Sequence, residues 1–247
     1  MAMMLETPAP TVPEGDRVLV VMAHPDDAEF GCGGTIAKWA AAGKEINYVL
    51  CTSGDKGSSD MSISPWQLAQ TRRTEQLNAA HALGARDVVF LSYEDGTLQN
   101  TLALRKDIVR EIRRFKPDAV ICQDPTMRFG GNRYINHPDH RAAGDACLDA
   151  VYPSARDPHV FPDLLVEGLE PHKVKEVFMS TMQSPDVWID VSECFERKLE
   201  GLRQHTSQVG TRFEEVIERI RERSRQTARL FNLPFEIGEG YRYFKLN

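Results

Sequence analysis

The sequence predicts a doubly wound α/β fold, with a mostly parallel sheet and helices on both faces. Two observations predict it. Short apolar runs alternate with longer stretches of helical pattern through residues 17–123, and the connections between them are short. Polar residues also follow directly after each apolar run. Because ligands of such sheets bind outside the carboxyl ends of the strands, we expect the functional site at that edge.

Four strands are predicted from apolar runs that are rich in β-branched residues. Residues 17–23, RVLVVMA, form a continuous run, which is typical of a strand buried on both faces. The next three strands are residues 45–53, 87–92 and 118–123, with the sequences EINYVLCTS, DVVFLS and DAVICQ. All four carboxyl ends are therefore expected to open towards one crevice.

Three helices are predicted between these strands. The Ala-rich stretch 35–43 ends at a glycine, which favours helix termination. Residues 65–83 begin at Pro65, which suits the first helical turn, and are followed by Gly84. Residues 102–115 place Leu, Ile and Val on one face, which is typical of an amphipathic helix packed on a sheet.

The chain is predicted to form a flexible, Pro-rich leader, residues 1–16, and a single domain, residues 17–247. The pattern of that domain is less regular from about residue 152. Residues 153–172 are rich in Pro, Asp and His, and predict an irregular excursion. The other elements predicted in this half are a helix at 137–151, strands at 175–180 and 186–191, and a charged helical stretch at 192–231.

The composition is that of a globular protein with a sizeable core. The 247 residues are 41% hydrophobic and 27% charged. A net charge of −6 argues against nucleic acid or an anionic membrane surface as a partner. The five cysteines form no C-x-x-C pair, which argues against a disulfide framework or a structural zinc site. The sequence shows no cleavable signal and no apolar run near the ~20 residues of a membrane helix, so we expect a cytoplasmic protein.

Two short motifs carry the candidate chemistry. HPDD, residues 24–27, follows the first strand, and HPDH, residues 137–140, opens a predicted helix. Imidazole and carboxylate groups are the usual ligands of a catalytic zinc with three protein ligands and one open position. A strand-end loop can bring His24 and Asp27 to one point, and a helix start can supply His140.

The residues beside these ligands suit a hydrolase. A metal-bound water must lose a proton, so a carboxylate base must lie near it without being a ligand. Asp26 can take that proton, and His137 can stabilise an oxyanion or protonate a leaving group. Turn formation and helix capping are the alternative explanations for a single His-x-x-Asp. Asp139 fits the first turn of its helix, where its charge suits the helix dipole.

Four segments resemble one family. AHPDDAEFGCGGTIAKWAAAG, CTSGDKG, TRRTEQLNAAHALGARDVVFLSYEDGTL and NHPDHRAAGDACLDAV follow in this order over about residues 17–151. They look like the LmbE-like, or PIG-L, superfamily of zinc-dependent N-acetylglucosaminyl deacetylases. The resemblance implies a Rossmann-like α/β domain. The roles that it implies are metal ligation by His24, Asp27 and His140, general base catalysis by Asp26, and oxyanion or acid catalysis by His137.

Two further residues are expected to bind substrate. The resemblance implies Arg72 as a substrate-contacting residue, although the adjacent Arg73 leaves the register open. Asp124 ends a strand towards the crevice, where it can contact substrate or support a neighbouring side chain. The chain also departs from the family pattern at Ala28, where many members have Glu, and at Asn136, where some members have Gly.

The expected function is removal of an N-acetyl group from an N-acetylglucosamine-type sugar or glycoconjugate. Zn²⁺ is the expected cofactor, and His and Asp ligands also accept other divalent metals. The expected partners are a small amino-sugar substrate and, from the resemblance, further copies in a homo-oligomer. One alternative is an amidase of the same family that acts on a thiol-conjugate or another acylated amine. The other is a non-catalytic protein that binds a sugar or a metal.

Overall fold

The fold is given by a computed structural model, which describes residues 11–130, 132, 134–183 and 185–247. Its strands are, in chain order, β1 (Arg17–Met22), β2 (Glu45–Thr52), β3 (Asp87–Tyr93), β4 (Ala119–Gln123), β5 (Phe129–Gly130), β6 (Tyr134–Ile135), β7 (Glu176–Ser180), β8 (Val187–Asp190) and β9 (Gly238–Lys245). β5 and β6 form a separate antiparallel ribbon, and the other seven strands form one sheet.

The central sheet has the spatial order β3-β2-β1-β4-β7-β9-β8. The first five strands in this order run parallel, and β9 pairs antiparallel with both β7 and β8. The direction of strand addition reverses between β1 and β4, and such a switch point is where doubly wound sheets bind ligands. The predicted fold class, a mostly parallel doubly wound sheet, is confirmed.

Helices cover both faces of the sheet. β1 shows why, because Val18, Val20 and Met22 join one buried cluster while Leu19 and Val21 join the other. The first cluster includes side chains of α1, and the second includes side chains of α3 and α4. The helices are α1 (Asp27–Ala41), α2 (Pro65–Leu83), α3 (Leu102–Phe115), α4 (Pro138–Asp149), α5 (Asp163–Val166), α6 (Phe195–Arg203), α7 (Thr206–Val209) and α8 (Phe213–Leu230).

The helix bounds are predicted correctly where residues at the ends of the helix determine them. α2 and α3 have the predicted bounds, and Ser64 forms a capping box with Gln67 at the start of α2. α1 instead begins at Asp27, inside the HPDD motif, and bends at Cys32, where φ is −144°. The predicted start at residue 35 therefore corresponds to the second half of a kinked helix.

The C-terminal half holds one strand that the sequence analysis did not predict. β9 has the sequence GEGYRYFK, in which polar residues and glycines interrupt any apolar run. It nevertheless lies between β7 and β8, so the two predicted strands of this half are not neighbours. The predicted helical stretch 192–231 divides into α6, α7 and α8. Among the described residues, no helix combines the length and the apolar character needed to cross a membrane.

Residues 1–10 of the predicted leader lie outside the described residues, but residues 11–16 lie against the domain. The indole N–H of buried Trp39 donates to the Thr11 carbonyl at 2.9 Å. The Glu14 N–H donates to the Glu176 carboxylate at 2.8 Å. Residues 11–16 are thus held in place, where a flexible segment was expected, because they supply partners to polar groups of the domain.

Candidate metal centre and active site

A cavity of about 390 Å³ opens at the carboxyl ends of β1, β2 and β3, beside the start of α4. Loops from three strands and the start of one helix meet here, as the switch-point rule predicts. The lining residues are His24, Asp26, Asp27, Lys56, Gly57, Arg72, Asp95, Gly96, Tyr134, Ile135, His137 and His140. Six of the seven site residues expected from the sequence are in this set, and Asp124 is the exception.

The HPDD loop follows β1 and is held by hydrogen bonds at its base. The His24 N–H donates to Asp27 Oδ2 at 2.7 Å, which folds the loop back on itself. Gln123, at the end of the adjacent β4, donates from Nε2 to the same oxygen at 3.0 Å. Its Oε1 accepts from the Ala23 N–H at 3.0 Å. The neighbouring strand therefore orients the Asp27 carboxylate.

The HPDH motif forms the start of α4. Pro138 takes the first helical position, and His137 caps the helix, with its Nδ1 accepting from the Asp139 N–H at 3.2 Å. His140 lies one turn further on, 3.0 Å from the Asn136 side-chain oxygen through Nδ1. The Asn136 amide donates to the Met127 carbonyl at 2.7 Å, so its oxygen faces His140. His140 Nδ1 therefore donates to Asn136, and Nε2 is the ring nitrogen that can bind a metal when the ring is neutral.

Three side chains converge with donor atoms that could hold a metal ion. His140 Nε2 lies 3.1 Å from Asp27 Oδ1, and His24 Nδ1 lies 3.3 Å from Asp27 Oδ2. One donor atom from each of His24, Asp27 and His140 lies within 4.8 Å of the other two. Two imidazoles and a carboxylate match the donor set of a three-ligand catalytic zinc site.

The far side of the His24 ring faces two more carboxylates. His24 Nε2 lies 3.0 Å from Asp95 Oδ1 and 3.4 Å from Asp139 Oδ2. One donor atom from each of His24, Asp95 and His137 also lies within 4.8 Å of the other two. A carboxylate behind the second nitrogen of a metal-binding histidine is the usual arrangement, because it fixes the ring and its tautomer. The set of His24, Asp27 and His140 with Asp95 and Asp139 behind it is therefore the coherent assignment.

The site is electrostatically suited to a cation. Burial alone lowers the pKa of His24, but hydrogen bonding to Asp139 and Asp27 outweighs it and raises the pKa to about 12. Burial alone would raise the pKa of Asp27, but the charges of His140 and His24 hold it well below its usual value. These carboxylates favour any positive charge at this point, whether a proton or a divalent ion.

Asp26 differs from Asp27 in the pKa of its carboxyl group, and its backbone conformation is unusual. It lies in the left-handed region, with φ at 91°. Burial, against the attraction of Arg72, raises its pKa from 3.8 to about 7. A carboxylate with a pKa near neutrality is matched to work as a general base.

Arg72 holds Asp26 and two loops. Its guanidinium donates to Asp26 Oδ2 at 3.1 Å, to the Gly54 carbonyl at 2.8 Å and to the Pro25 carbonyl. A Cβ at Gly54 or Gly57 would lie 2.5 Å from Arg72 Nη1, so the glycines of CTSGDKG make room for this side chain. Arg72 lines the cavity but is only 4% exposed, and its bonds go to protein groups where a substrate contact was expected.

Asp124 is the predicted site residue that the structure does not bring to the cavity. It is 3% exposed, and its Oδ1 accepts from the N–H of Thr126 at 2.8 Å and from its hydroxyl at 2.6 Å. The carboxylate thus forms the turn after β4. The expected contact with substrate is not supported by this position.

Sequence reasoning missed the residues that support the ligands. Asp139 is fully buried and accepts from the Gly96 N–H at 2.7 Å and the Leu98 N–H at 3.2 Å, so it fastens the loop after β3. Its role thus extends beyond the predicted interaction with the helix dipole. Gln123 ends β4 and Asp95 lies two residues beyond the end of β3, so the strand-end rule that found His24 could have found both.

The fold and the site together define a Rossmann-like α/β domain with a candidate metal centre at the carboxyl edge of its parallel sheet. The family model for PIG-L, described as GlcNAc-PI de-N-acetylase, matches residues 19–151, and the chain belongs to this family. The diacetylchitobiose deacetylase of Thermococcus kodakarensis is 36% identical over 192 residues, 78% of this chain and 70% of that protein. The 1D-myo-inositol 2-acetamido-2-deoxy-alpha-D-glucopyranoside deacetylase of Rhodococcus erythropolis is 29% identical over 204 residues, 70% and 67% of the two proteins.

A solved structure is similar across nearly the whole chain. The N,N'-diacetylchitobiose deacetylase from Pyrococcus horikoshii, complexed with an inhibitor, superposes with a TM-score of 0.86 at 31% sequence identity. The match covers 94% of this chain and 85% of that one, so it includes the C-terminal half, which the family model does not. The sequence resemblance to the LmbE-like family is confirmed.

Proposed function

We propose that this protein removes the N-acetyl group from N-acetylglucosamine-type sugars or glycoconjugates by metal-dependent amide hydrolysis. One observation carries the proposal: Asp26, which is not one of the ligands, lies in the same cavity as the candidate ligands His24, Asp27 and His140. Family membership and the deacetylase relatives support the same chemistry. The cavity volume lies within the range of small-molecule sites.

Zn²⁺ is the proposed metal, held by His24, Asp27 and His140. When bound, it would supply an acidified water and polarise the amide oxygen. The three side chains are prepared for it by their neighbours, since Gln123 orients Asp27 and Asn136 fixes the His140 tautomer. Iron, cobalt or manganese could take the same donors.

Asp26 accepts the proton of the attacking water in this proposal. Its raised pKa follows from burial, and Arg72 fixes its carboxylate at 3.1 Å. The same carboxyl group, once protonated, can return the proton to the departing amine. The products are acetate and a free amino sugar.

His137 is proposed to stabilise the oxyanion or to protonate the leaving amine. Burial and the nearby His24 lower its pKa, which favours the neutral ring. Its Nδ1 accepts from the Asp139 N–H, so the ring proton of the neutral form is on Nε2. His137 can therefore donate a hydrogen bond from Nε2 while Nδ1 stays fixed to the helix.

Acetate release tests the proposal directly. The metal-loaded protein should release equal amounts of acetate and primary amine from N-acetylglucosamine or N,N'-diacetylchitobiose. Chelation should abolish the reaction, and Zn²⁺ should restore it. Acylated thiol-conjugates in the same screen test the alternative amidase. Bound metal without acetate or amine from any of these amides would refute the hydrolase and favour a binding protein.

Two expectations about the protein in the cell stay predictions. All five cysteines are free thiols, four of them buried, and this supports the proposed cytoplasmic location because that compartment keeps thiols reduced. Assembly into a homo-oligomer is proposed from the family resemblance. Light scattering of the purified protein would test the assembly.

A further inference from the structure

A buried polar network lies behind the cavity and reaches from Asp26 to the C-terminal half of the chain. The Asp26 N–H donates to Gln76 Oε1 at 2.9 Å, and Gln76 Nε2 donates to Glu29 Oε1 at 3.0 Å. Glu29 Oε2 lies 3.1 Å from His205 Nε2. Gln76, Glu29 and His205 are all 0% exposed. None of the three lines the cavity, and hydrolysis as described above uses none of them.

Asp26 needs such support because its backbone is strained. A non-glycine residue at φ 91° is in an unfavourable backbone conformation and persists only where several surrounding contacts hold it. Glycine would relieve the strain but would remove the carboxylate. Arg72 holds the side chain of Asp26, and Gln76 holds its backbone N–H. The residue is therefore fixed from two sides.

The orientation of the Gln76 amide depends on Glu29. Glu29 Oε1 accepts from Gln76 Nε2, so the amide nitrogen of Gln76 faces Glu29 and the amide oxygen faces Asp26. The reversed amide would place two N–H groups against each other at Asp26. The Tyr48 hydroxyl and the His205 ring complete the partners of the buried Glu29 carboxylate.

The position of His205 is set by the close packing of α6. A Cβ at Gly201 would lie 3.0 Å from Leu83 and 3.4 Å from Glu29 Cγ, so glycine allows α6 to approach α1 and α2. The chain turns directly after this helix, with the His205 N–H donating to the Leu202 carbonyl at 3.1 Å. The turn brings the imidazole to the carboxylate of Glu29, 176 positions away in the sequence.

We propose that Glu29, Gln76 and His205 are positioning residues that hold Asp26 in the orientation in which it accepts the proton. The C-terminal half, which lies beyond the family match at residue 151, thus completes the active site from behind through His205. This inference rests on the proposed function for its kinetic consequence. Its structural consequence is that the Asp26 N–H is protected from hydrogen exchange, and this consequence does not depend on the proposed function.

Three variants test the network. Gln76→Met removes the acceptor of the Asp26 N–H at nearly constant volume, and His205→Leu removes a donor to Glu29. His205→Gln restores an N–H donor in that place. We expect the first two to lower kcat at least tenfold, with KM and metal content within twofold of wild type. His205→Gln should recover most of the lost kcat.

Glu239→Gln is the matched control, because it alters another buried ion pair, between β9 and α6, that packs against the same helix α1. Glu239 accepts from Lys198 Nζ at 2.6 Å and from the N–H groups of Gly34 and Thr35 at 3.0 and 2.7 Å. These amides lie beyond the kink of α1, away from Asp26. The control should lower thermal stability and leave kcat within twofold of wild type.

Amide hydrogen exchange measured by NMR gives a readout that does not depend on activity. The Asp26 amide should exchange at least tenfold faster in Gln76→Met and His205→Leu, and at the wild-type rate in Glu239→Gln. Wild-type exchange at Asp26 in folded Gln76→Met would overturn the inference, as would a kcat loss of equal size in the control. If wild type releases no acetate, the proposed function fails, while the exchange rates still judge the positioning network.

Discussion

Replacement of Asp26 by asparagine should stabilise the metal-free protein while it removes catalysis. The pKa of Asp26 is raised from 3.8 to about 7, chiefly by burial and against the attraction of Arg72. At 1.36 kcal/mol for each pKa unit, the ionised carboxylate opposes folding by about 4 kcal/mol above pH 7. Asparagine has a similar shape and carries no charge. The same substitution should lower turnover by roughly 10²–10⁴-fold, which is the usual contribution of a general base.

The sign of the pH dependence follows from proton binding. Because the folded pKa of Asp26 exceeds its unfolded value, the folded state binds more protons between pH 3.8 and 7, and stability falls across this range as pH rises. Asp26→Asn lacks that decrease. Its advantage over wild type should therefore be absent near pH 3.8, grow up to pH 7, and stay constant above it.

Urea unfolding of both chelated proteins at a series of pH values measures this difference, and acetate release from the metal-loaded proteins measures catalysis. Metal content is the control, since the three ligands are intact in Asp26→Asn. A variant that is less stable than wild type at pH 8 would refute the desolvation argument. A variant with wild-type turnover would refute the assignment of Asp26 as the base.

Three further substitutions separate the other roles at the site. Asn136→Ala frees the tautomer of His140, and equilibrium dialysis should show a 10–100-fold loss of zinc affinity; unchanged affinity would contradict the role of the amide. His137→Ala should keep its metal, measured by elemental analysis, and lose kcat by at least tenfold; full turnover would exclude His137 from the reaction. Gly54→Ala forces a Cβ within 2.5 Å of Arg72 at a φ of 65°, and calorimetry should show a lower Tm than wild type.

The sequence was sufficient wherever one short segment determines the structure. The run RVLVVMA is buried on both faces, and Pro65 and Gly84 bound α2 as local signals predict. The two motifs also meet as expected, because both lie at the carboxyl edge of one parallel sheet.

The sequence was insufficient where structure depends on distant partners. β9 carries no apolar run, and its place in the sheet depends on pairing with β7 and β8. Asp124 follows a strand end, as a site residue would, but its carboxylate accepts hydrogen bonds from the N–H and hydroxyl of Thr126. His205 has no neighbouring motif, and the positioning role proposed for it depends on its contact with Glu29.

Because β9 lies between β7 and β8, the central sheet can be completed only late in synthesis. The first four parallel strands are made before residue 124, yet β8 finds its partner among the described strands only in β9, which ends at Lys245. Until β9 is made, the edges of β7 and β8 that pair with it are unpaired. Unpaired strand edges promote association between chains. A ribosome-bound or truncated chain that stops before Gly238 should therefore contain a folded metal-binding half with an open sheet. We expect such a chain to depend on chaperones and to aggregate when it is released.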